Sequence, residues 1–303
     1  MPSFSVVIPV YNRARLIAAT INSVLAQDWK DFEVVVVDDG STDDTREVVE
    51  KSCANDARVR YVRQVNSERG AARNHGFREA RGRYVVFFDS DDLMHKDHLS
   101  TLASVAEVHA GANFLATKYE ILRDGRSLPS SLHDLKEGFY GLEIFLRGNP
   151  LACNVCVRRE NPRLHLFVED RRYAVFEDWI FMVQNLAADR LYLSDSVTIT
   201  LVDHDKRSMR GDNREIIRKN RWARDFIMEH VELSREQRRV LDGYSHYFCA
   251  IHAYLEGDRR EGLKHLYSAV KEIGPSARTA ALLLKLMVGQ KRLHSVARKL
   301  RRT

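Results

Sequence analysis

Residues 84–99, YVVFFDSDDLMHKDHL, run five apolar or aromatic side chains straight into three carboxylates, Asp89, Asp91 and Asp92. A short apolar run of this kind reads as a buried strand, and its end delivers the charge to one edge of a sheet. Upstream, two periodicities alternate. FSVVIPV (4–10) and FEVVVV (32–37) are strand-like apolar runs, and between them Leu16, Ile17, Thr20, Ile21, Val24 and Leu25 recur at helical spacing. Ser41 followed by Asp44 reads as a capping box that opens a helix over 42–52. RVRYVRQ (58–64) reads as a third strand and 68–81 as a third helix. The order βαβαβαβ predicts an α/β fold, a mostly parallel central sheet with helices on both faces and its ligands outside the carboxyl ends of the strands.

Each strand whose end can be placed brings polar groups to that edge. The first ends at Pro9-Val10-Tyr11-Asn12, the second at Asp38-Asp39-Gly40-Ser41 and the fourth at Asp89-Ser90-Asp91-Asp92. Clustered carboxylates repel one another unless a cation joins them, and an all-oxygen donor set suits Mg²⁺ or Mn²⁺. Such an ion keeps open positions that a nucleoside diphosphate can fill. Other phosphate-binding designs do not fit. GxxxxGK[ST] is absent and no GxGxxG follows the first strand, which argues against P-loop and dinucleotide-binding proteins. A haloacid-type phosphatase needs an aspartate where this chain has Pro9 and Tyr11, and a nucleotidyltransferase needs a glycine-rich loop where PVYNRARL has no glycine. A non-catalytic nucleotide-sugar-binding protein stays open as an alternative.

With 303 residues, 44% apolar and 30% charged, the chain has enough material for one large core or two modest ones. The start lacks a signal-peptide pattern and no apolar run is long enough to span a bilayer, so a cytoplasmic location is expected. Cys153 and Cys156 form an isolated CxxC and read as buried thiols rather than metal ligands. Charge is uneven along the chain. Residues 1–206 carry 26 Lys and Arg against 31 Asp and Glu, and residues 207–303 carry 22 against 11.

Three stretches together carry a resemblance: VVIPVYNRARLIAATINSVLAQDWKDFEVVVVDDGSTDDT (6–45), NSERGAARNHGFREARGRYVVFFDSDD (66–92) and FEDW (176–179). In order and spacing they resemble the family 2 glycosyltransferases, inverting enzymes of the GT-A fold, over roughly residues 3–210. The resemblance implies a catalytic domain over 1–210, with a nucleotide-sugar half (1–100) and an acceptor half (101–210). It implies that Pro9 and Tyr11 form the nucleotide edge, with the Tyr11 ring against a base such as uracil, and that Asp39 or its neighbour Asp38 accepts the base N–H. Asp89-Ser90-Asp91 looks like the family's DxD, with Asp91 meeting a divalent Mn or Mg ion and Asp89 meeting ribose or the same ion. Arg73 and Asn74 fall in GAARNHG, where Arg73, or Arg69, can offset diphosphate charge or hold a carboxylate. His204 resembles a residue brought to the metal or diphosphate, and Arg207 and Ser208 a loop that closes over the nucleotide.

Inversion at an anomeric carbon needs a base opposite the leaving group. FEDW places Glu177 and Asp178 ahead of an apolar helical face, and Asp178 is the expected base with Glu177 in support. Between these motifs ANFLATKYEIL, CNVCVRR and LYLSDSVTITLVDH read as further strands and GLEIFLRG as a short helix. The expected donor is a UDP-linked sugar, and the expected acceptor is a hydroxyl of a glycan or lipid-linked saccharide of the cell envelope.

Residues 211–303 read as helical, with YSHYFCAIHAYLEGDRREGLKHLYSAVKEIGP resembling one tetratricopeptide-type helix pair. After Glu272 there are eight Lys or Arg and no acid. This basic amphipathic tail is either a solvated helix or a peripheral contact with anionic membrane at the inner face. Nucleic acid is not an expected partner, because interleaved aromatics are lacking.

Overall fold

The computed structural model of the chain describes residues 1–204 and 211–289. Arg207, Ser208 and the tail from residue 290 lie outside the described residues. The chain divides into two compact units: one holds 1–142 and 149–204, the other 143–148 and 211–289.

The first unit is built as the apolar pattern dictates. β1 (Phe4–Val10) and β2 (Phe32–Asp38) are buried along their whole length, which requires cover on both faces of the sheet. They pair in parallel, and β3 (Val59–Arg63) and β4 (Tyr84–Phe87) extend the parallel sheet on either side. The crossovers are α1 (Ile17–Leu25), α2 (Thr45–Asn55) and α3 (Glu68–Glu79). Helix α3 lies so close to the sheet that a Cβ on Gly76 would stand 2.3 Å from Val7 Cγ1. After β5 (Leu93–Met94) and α4 (His98–Val108) come β6 (Phe114–Arg123), β7 (Arg126–Pro129), β8 (Gly138–Tyr140), β9 (Val155–Arg158), α5 (Glu177–Leu186) and β10 (Leu191–Val202). The main strand order is β3-β2-β1-β4-β9-β6-β10-β5. Strand β9 runs antiparallel between β4 and β6, and β6 and β10 are again parallel, so the sheet is mixed beyond β4.

Two local expectations are corrected. The helix expected over 42–52 starts at Thr45, and Ser41 does not cap it. The Ser41 hydroxyl instead accepts the Asn12 backbone N–H, tying the ends of β1 and β2 together. GLEIFLRG makes only a single 3₁₀ turn, Leu142–Ile144, and the stretch ends at Gly148 with φ +119°.

The second unit is helical: α6 (Asn213–His230), α7 (Arg235–Glu256), α8 (Arg259–Ile273) and α9 (Ala277–Val288). Ser234 with Gln237 forms a capping box for α7, and Ser276 with Thr279 forms one for α9. Gly257 in the left-handed region ends α7 and allows the sharp turn into α8. Ala250, Leu266, Leu282 and Leu286 form a small core joining α7, α8 and α9.

Candidate active site

The carboxyl edge of the sheet carries the acidic rim. Tyr11 follows β1 and is 46% exposed, whereas Pro9 inside the strand is buried. Asn12 adopts φ +52°, a conformation asparagine tolerates, and its Oδ1 accepts the Thr42 N–H at 2.8 Å. The two aspartates at the end of β2 differ. Asp38 is fully buried and both its oxygens are used, accepting from Ser41 N at 2.7 Å and Tyr61 Oη at 2.6 Å. Burial and then Asp38 push the Tyr61 hydroxyl well above its ordinary range. Asp39 Oδ1 accepts from Gln64 Nε2 and Ser67 N, both at 2.8 Å, leaving Oδ2 with no hydrogen bond among the described residues. Asp39 can therefore accept a further N–H, and Asp38 is committed to the scaffold.

At the end of β4, oxygens of Asp89, Asp91 and Asp92 lie within 4.8 Å of one another. Ser90 between them is buried. Asp92 is buried and accepts the Val202 N–H through Oδ1 at 3.1 Å, which fastens this loop to the end of β10. Just beyond β10, His204 Nε2 stands 2.8 Å from Asp91 Oδ2, and Arg13 Nε stands 3.6 Å from the same oxygen. Arg13 was not singled out in the sequence. Asp89 and Asp91 are partly exposed hard oxygen donors with a third carboxylate behind them, a set that fits a divalent Mg²⁺ or Mn²⁺ ion.

Arg73 connects this rim to the helix that starts at FEDW. Its guanidinium, 1% exposed, donates through Nη1 to Glu177 Oε1 at 2.7 Å and through Nη2 to Asp89 Oδ1 at 2.8 Å. It also lies over the Phe167 ring, 5.2 Å from the centroid. Arg69 Nε is 3.6 Å from the same Glu177 oxygen. Asn74 clamps the neighbouring loop, donating to Phe167 O and Glu169 Oε1 and accepting from Phe167 N. One buried cation thus holds two carboxylates drawn from two different elements.

Asp178 is the second of two carboxylates at the start of α5. Val175, three residues earlier, holds φ +86°, an unfavourable value for a β-branched residue and the kind of strain found where a site fixes its backbone. The Asp178 carboxyl accepts Trp179 N–H through Oδ1 at 2.7 Å and Asn149 Nδ2 through Oδ2 at 2.9 Å. Burial first, and then the Glu177 carboxylate beside it, push Asp178 up to about 6, with Arg73 opposing. Glu177 is itself buried, and its Oε2 has no hydrogen-bond partner among the described residues. Asn149 was missed in the sequence, since RGNPL carries no periodicity or chemical motif that marks it. Its amide orientation is fixed because Oδ1 accepts Leu151 N while Nδ2 also reaches Ala152 O.

A groove of about 260 Å³ lies along β6 and β7, lined by Lys118, Tyr119, Glu120, Ser127, Ser130 and His133 among others. Tyr119 Oη donates to Pro150 O at 2.9 Å, so the groove wall reaches the residue after Asn149.

A doubly wound sheet with an acidic, cation-ready rim and a raised carboxyl across one arginine defines an α/β protein built to hold a charged ligand at its sheet edge. The chain belongs to Glycosyl transferase family 2, whose sequence profile matches residues 5–159, just over half of it. It is 38% identical over 123 residues to the GalNAc(5)-diNAcBac-PP-undecaprenol β-1,3-glucosyltransferase of Campylobacter jejuni, an alignment covering 39% of this chain and 40% of that protein. The alignments span between 14% and 40% of the length of the curated relatives. The fold is that of the GT-A glycosyltransferases. It matches Staphylococcus aureus TarS 1–349 in complex with UDP-GlcNAc at TM-score 0.69 and 24% identity, covering 94% of this chain and 86% of that one. It also matches the mannosyltransferase PcManGT of Pyrobaculum calidifontis in complex with GDP-Man and Mn²⁺ at TM-score 0.61 and 20% identity, covering 94% and 79%.

Proposed function

We propose that the protein transfers a sugar from a nucleoside diphosphate sugar, UDP-linked, to a hydroxyl of a glycan or lipid-linked saccharide in envelope polysaccharide synthesis, with inversion at the anomeric carbon. The observation that carries this reading is the Asp89–Arg73–Glu177 bridge. It sets a rim suited to a metal diphosphate at one end and a carboxyl raised to about 6, Asp178, at the other. Tyr11 offers its exposed ring to the base and Asp39 Oδ2 accepts the base N–H, while Ser90 and Asp89 border the ribose and diphosphate. A divalent cation held by Asp91 and Asp89, with His204 alongside, would offset the charge of the leaving diphosphate. Asp178 takes the acceptor hydroxyl's proton as the new C–O bond forms and the bond to the diphosphate breaks, the electron pair leaving with the nucleotide. The acceptor approaches along the Lys118–His133 groove. A lipid-linked acceptor is reached at a membrane surface, and we place the protein there as a peripheral protein of the inner face. Among the described residues no helix is long and apolar enough to cross a membrane.

The C. jejuni relative's undecaprenol-linked substrate name and the TarS complex with UDP-GlcNAc support the acceptor and donor classes, and the Mn²⁺ in PcManGT supports the metal. The test is a thermal-shift panel of nucleoside diphosphates and nucleotide sugars with and without Mn²⁺, on wild type and Asp91→Ala. Stabilisation by one nucleotide that requires metal and disappears in the variant is expected, followed by turnover with a saccharide acceptor. No stabilisation by any nucleotide would sink the reading, and binding without turnover on any acceptor would reduce the protein to a nucleotide-sugar-binding one.

A further inference from the structure

Helix α9 is apolar on its outer side as well as its inner one. Thr279, Leu282 and Leu286 are buried in the small core of the second unit, and Leu286 fits against Gly262 of α8, where an added Cβ would stand 2.6 Å from Leu286 Cδ2. At 100° per residue the opposite side of the helix is formed by Ala277, Ala280, Ala281 and Leu284, with Met287 at its edge. All are exposed, Leu284 at 64% and Met287 at 61%, with Leu283 beside them at 43%. The two ionisable side chains of α9, Arg278 and Lys285, fall together on one flank, between the inner seam and the outer face. Surface helices turn polar residues outward, and a helix that is apolar all round is normally covered on every side. The helix is also firmly seated. Arg259 of α8 donates to the carbonyls of Leu286 at 2.8 Å and Met287 at 2.7 Å, which satisfies the end of α9 and fixes which side faces outward.

We propose that this outer face docks on an anionic phospholipid bilayer, with Leu284, Met287 and Leu283 entering the boundary between headgroups and acyl chains. The proposal deepens the membrane reading above and depends on it for its purpose, not for its observations. Charge selects the occupant. After Glu272, to the end of the chain, eight side chains are Lys or Arg and none is acidic. A second copy would bring the same excess of positive charge and not complement it. An anionic surface complements it while the apolar face inserts, and neither contribution alone gives stable attachment.

The experiment is co-sedimentation of the full chain with phosphatidylcholine vesicles, with and without phosphatidylglycerol, across a salt series. The proteins are wild type, Leu284→Glu/Met287→Glu and Arg301→Glu/Arg302→Glu. Wild type is expected to bind the anionic vesicles and release with salt, and each double variant to lose about tenfold or more in affinity. Leu284 and Met287 are exposed, so the melting temperature of that variant should stay within about a degree or two of wild type, which separates lost docking from lost folding. Equal binding by wild type and L284E/M287E would overturn the proposal, as would no binding by wild type at low salt. A wild-type dimer that L284E/M287E dissociates would assign the face to a second copy instead. Transfer to a soluble acceptor, measured alongside, reports on the catalytic reading separately, so the failure of one is not mistaken for failure of the other.

Discussion

Asp178, raised to about 6, is only weakly basic at neutral pH yet almost fully ionised there, a suitable state for taking a hydroxyl proton during displacement. Asp178→Asn is expected to lower kcat by about 10²–10⁴ while leaving metal-dependent donor binding in place, checked by turnover and thermal shift on the same protein. The same variant should be more stable. A carboxyl with a folded pKa above its unfolded value favours folding fully at pH below the unfolded pKa, and this advantage is lost as pH rises through about 6. Above that pH the neutral amide avoids the penalty, by about 1–3 kcal/mol in urea unfolding at pH 7.5, and the difference should vanish near pH 3. Asn149 donates to the ionised form, so Asn149→Ala should move the acid limb of the kcat profile to higher pH and reduce kcat at pH 6 more than at pH 8. A purely structural role would lower both equally. Arg73→Lys cannot reproduce the two-sided bridge, and leaving Glu177 or Asp89 without its partner should destabilise by about 3–5 kcal/mol on chemical denaturation.

The elements show how far sequence pattern reaches. β1 and β2 were legible because strands buried on both faces need apolar side chains throughout, and α1 because its apolar spacing has only one periodic reading. The start of α2 departs from the sequence pattern because a serine near a helix offers its hydroxyl to whichever N–H folding brings close, here that of Asn12 just past β1, 29 residues earlier. Asp38, Asp39 and Asp89 to Asp92 were visible as strand ends and Glu177 and Asp178 as a charge pair ahead of an apolar helical face, but Asn149 and Arg13 act through contacts made only after the chain has folded. The outward apolar side of α9 was hidden for a related reason: an apolar helix looks the same in sequence whether its far side meets protein or nothing. Where α3 meets β1, Gly76→Ala would drive a methyl into Val7 in the middle of the sheet. A loss of about 1–3 kcal/mol in unfolding free energy is expected, read as a lower urea midpoint with the m-value unchanged.

At the scale of the whole chain, an acidic first part and a basic last part lie in one polypeptide, and they should respond differently to salt. Transfer to an acceptor embedded in anionic vesicles is expected to fall as salt rises, while transfer to a soluble acceptor with the same hydroxyl should change little. The sheet order has a consequence for how the chain is made. Strand β4 is complete at Phe87, but its outer neighbour β9 begins only at Val155, and β5 waits for β10, which ends at Val202. During synthesis at about 5–20 residues per second, a growing chain would carry the open edge of β4 for on the order of ten seconds before its antiparallel partner emerged. That edge is apolar and able to pair with other chains. The dangerous interval in the life of this protein therefore comes at the ribosome, between β4 and β9, and the yield of folded protein should depend more on slow translation and chaperone cover in that window than on the stability of the finished fold.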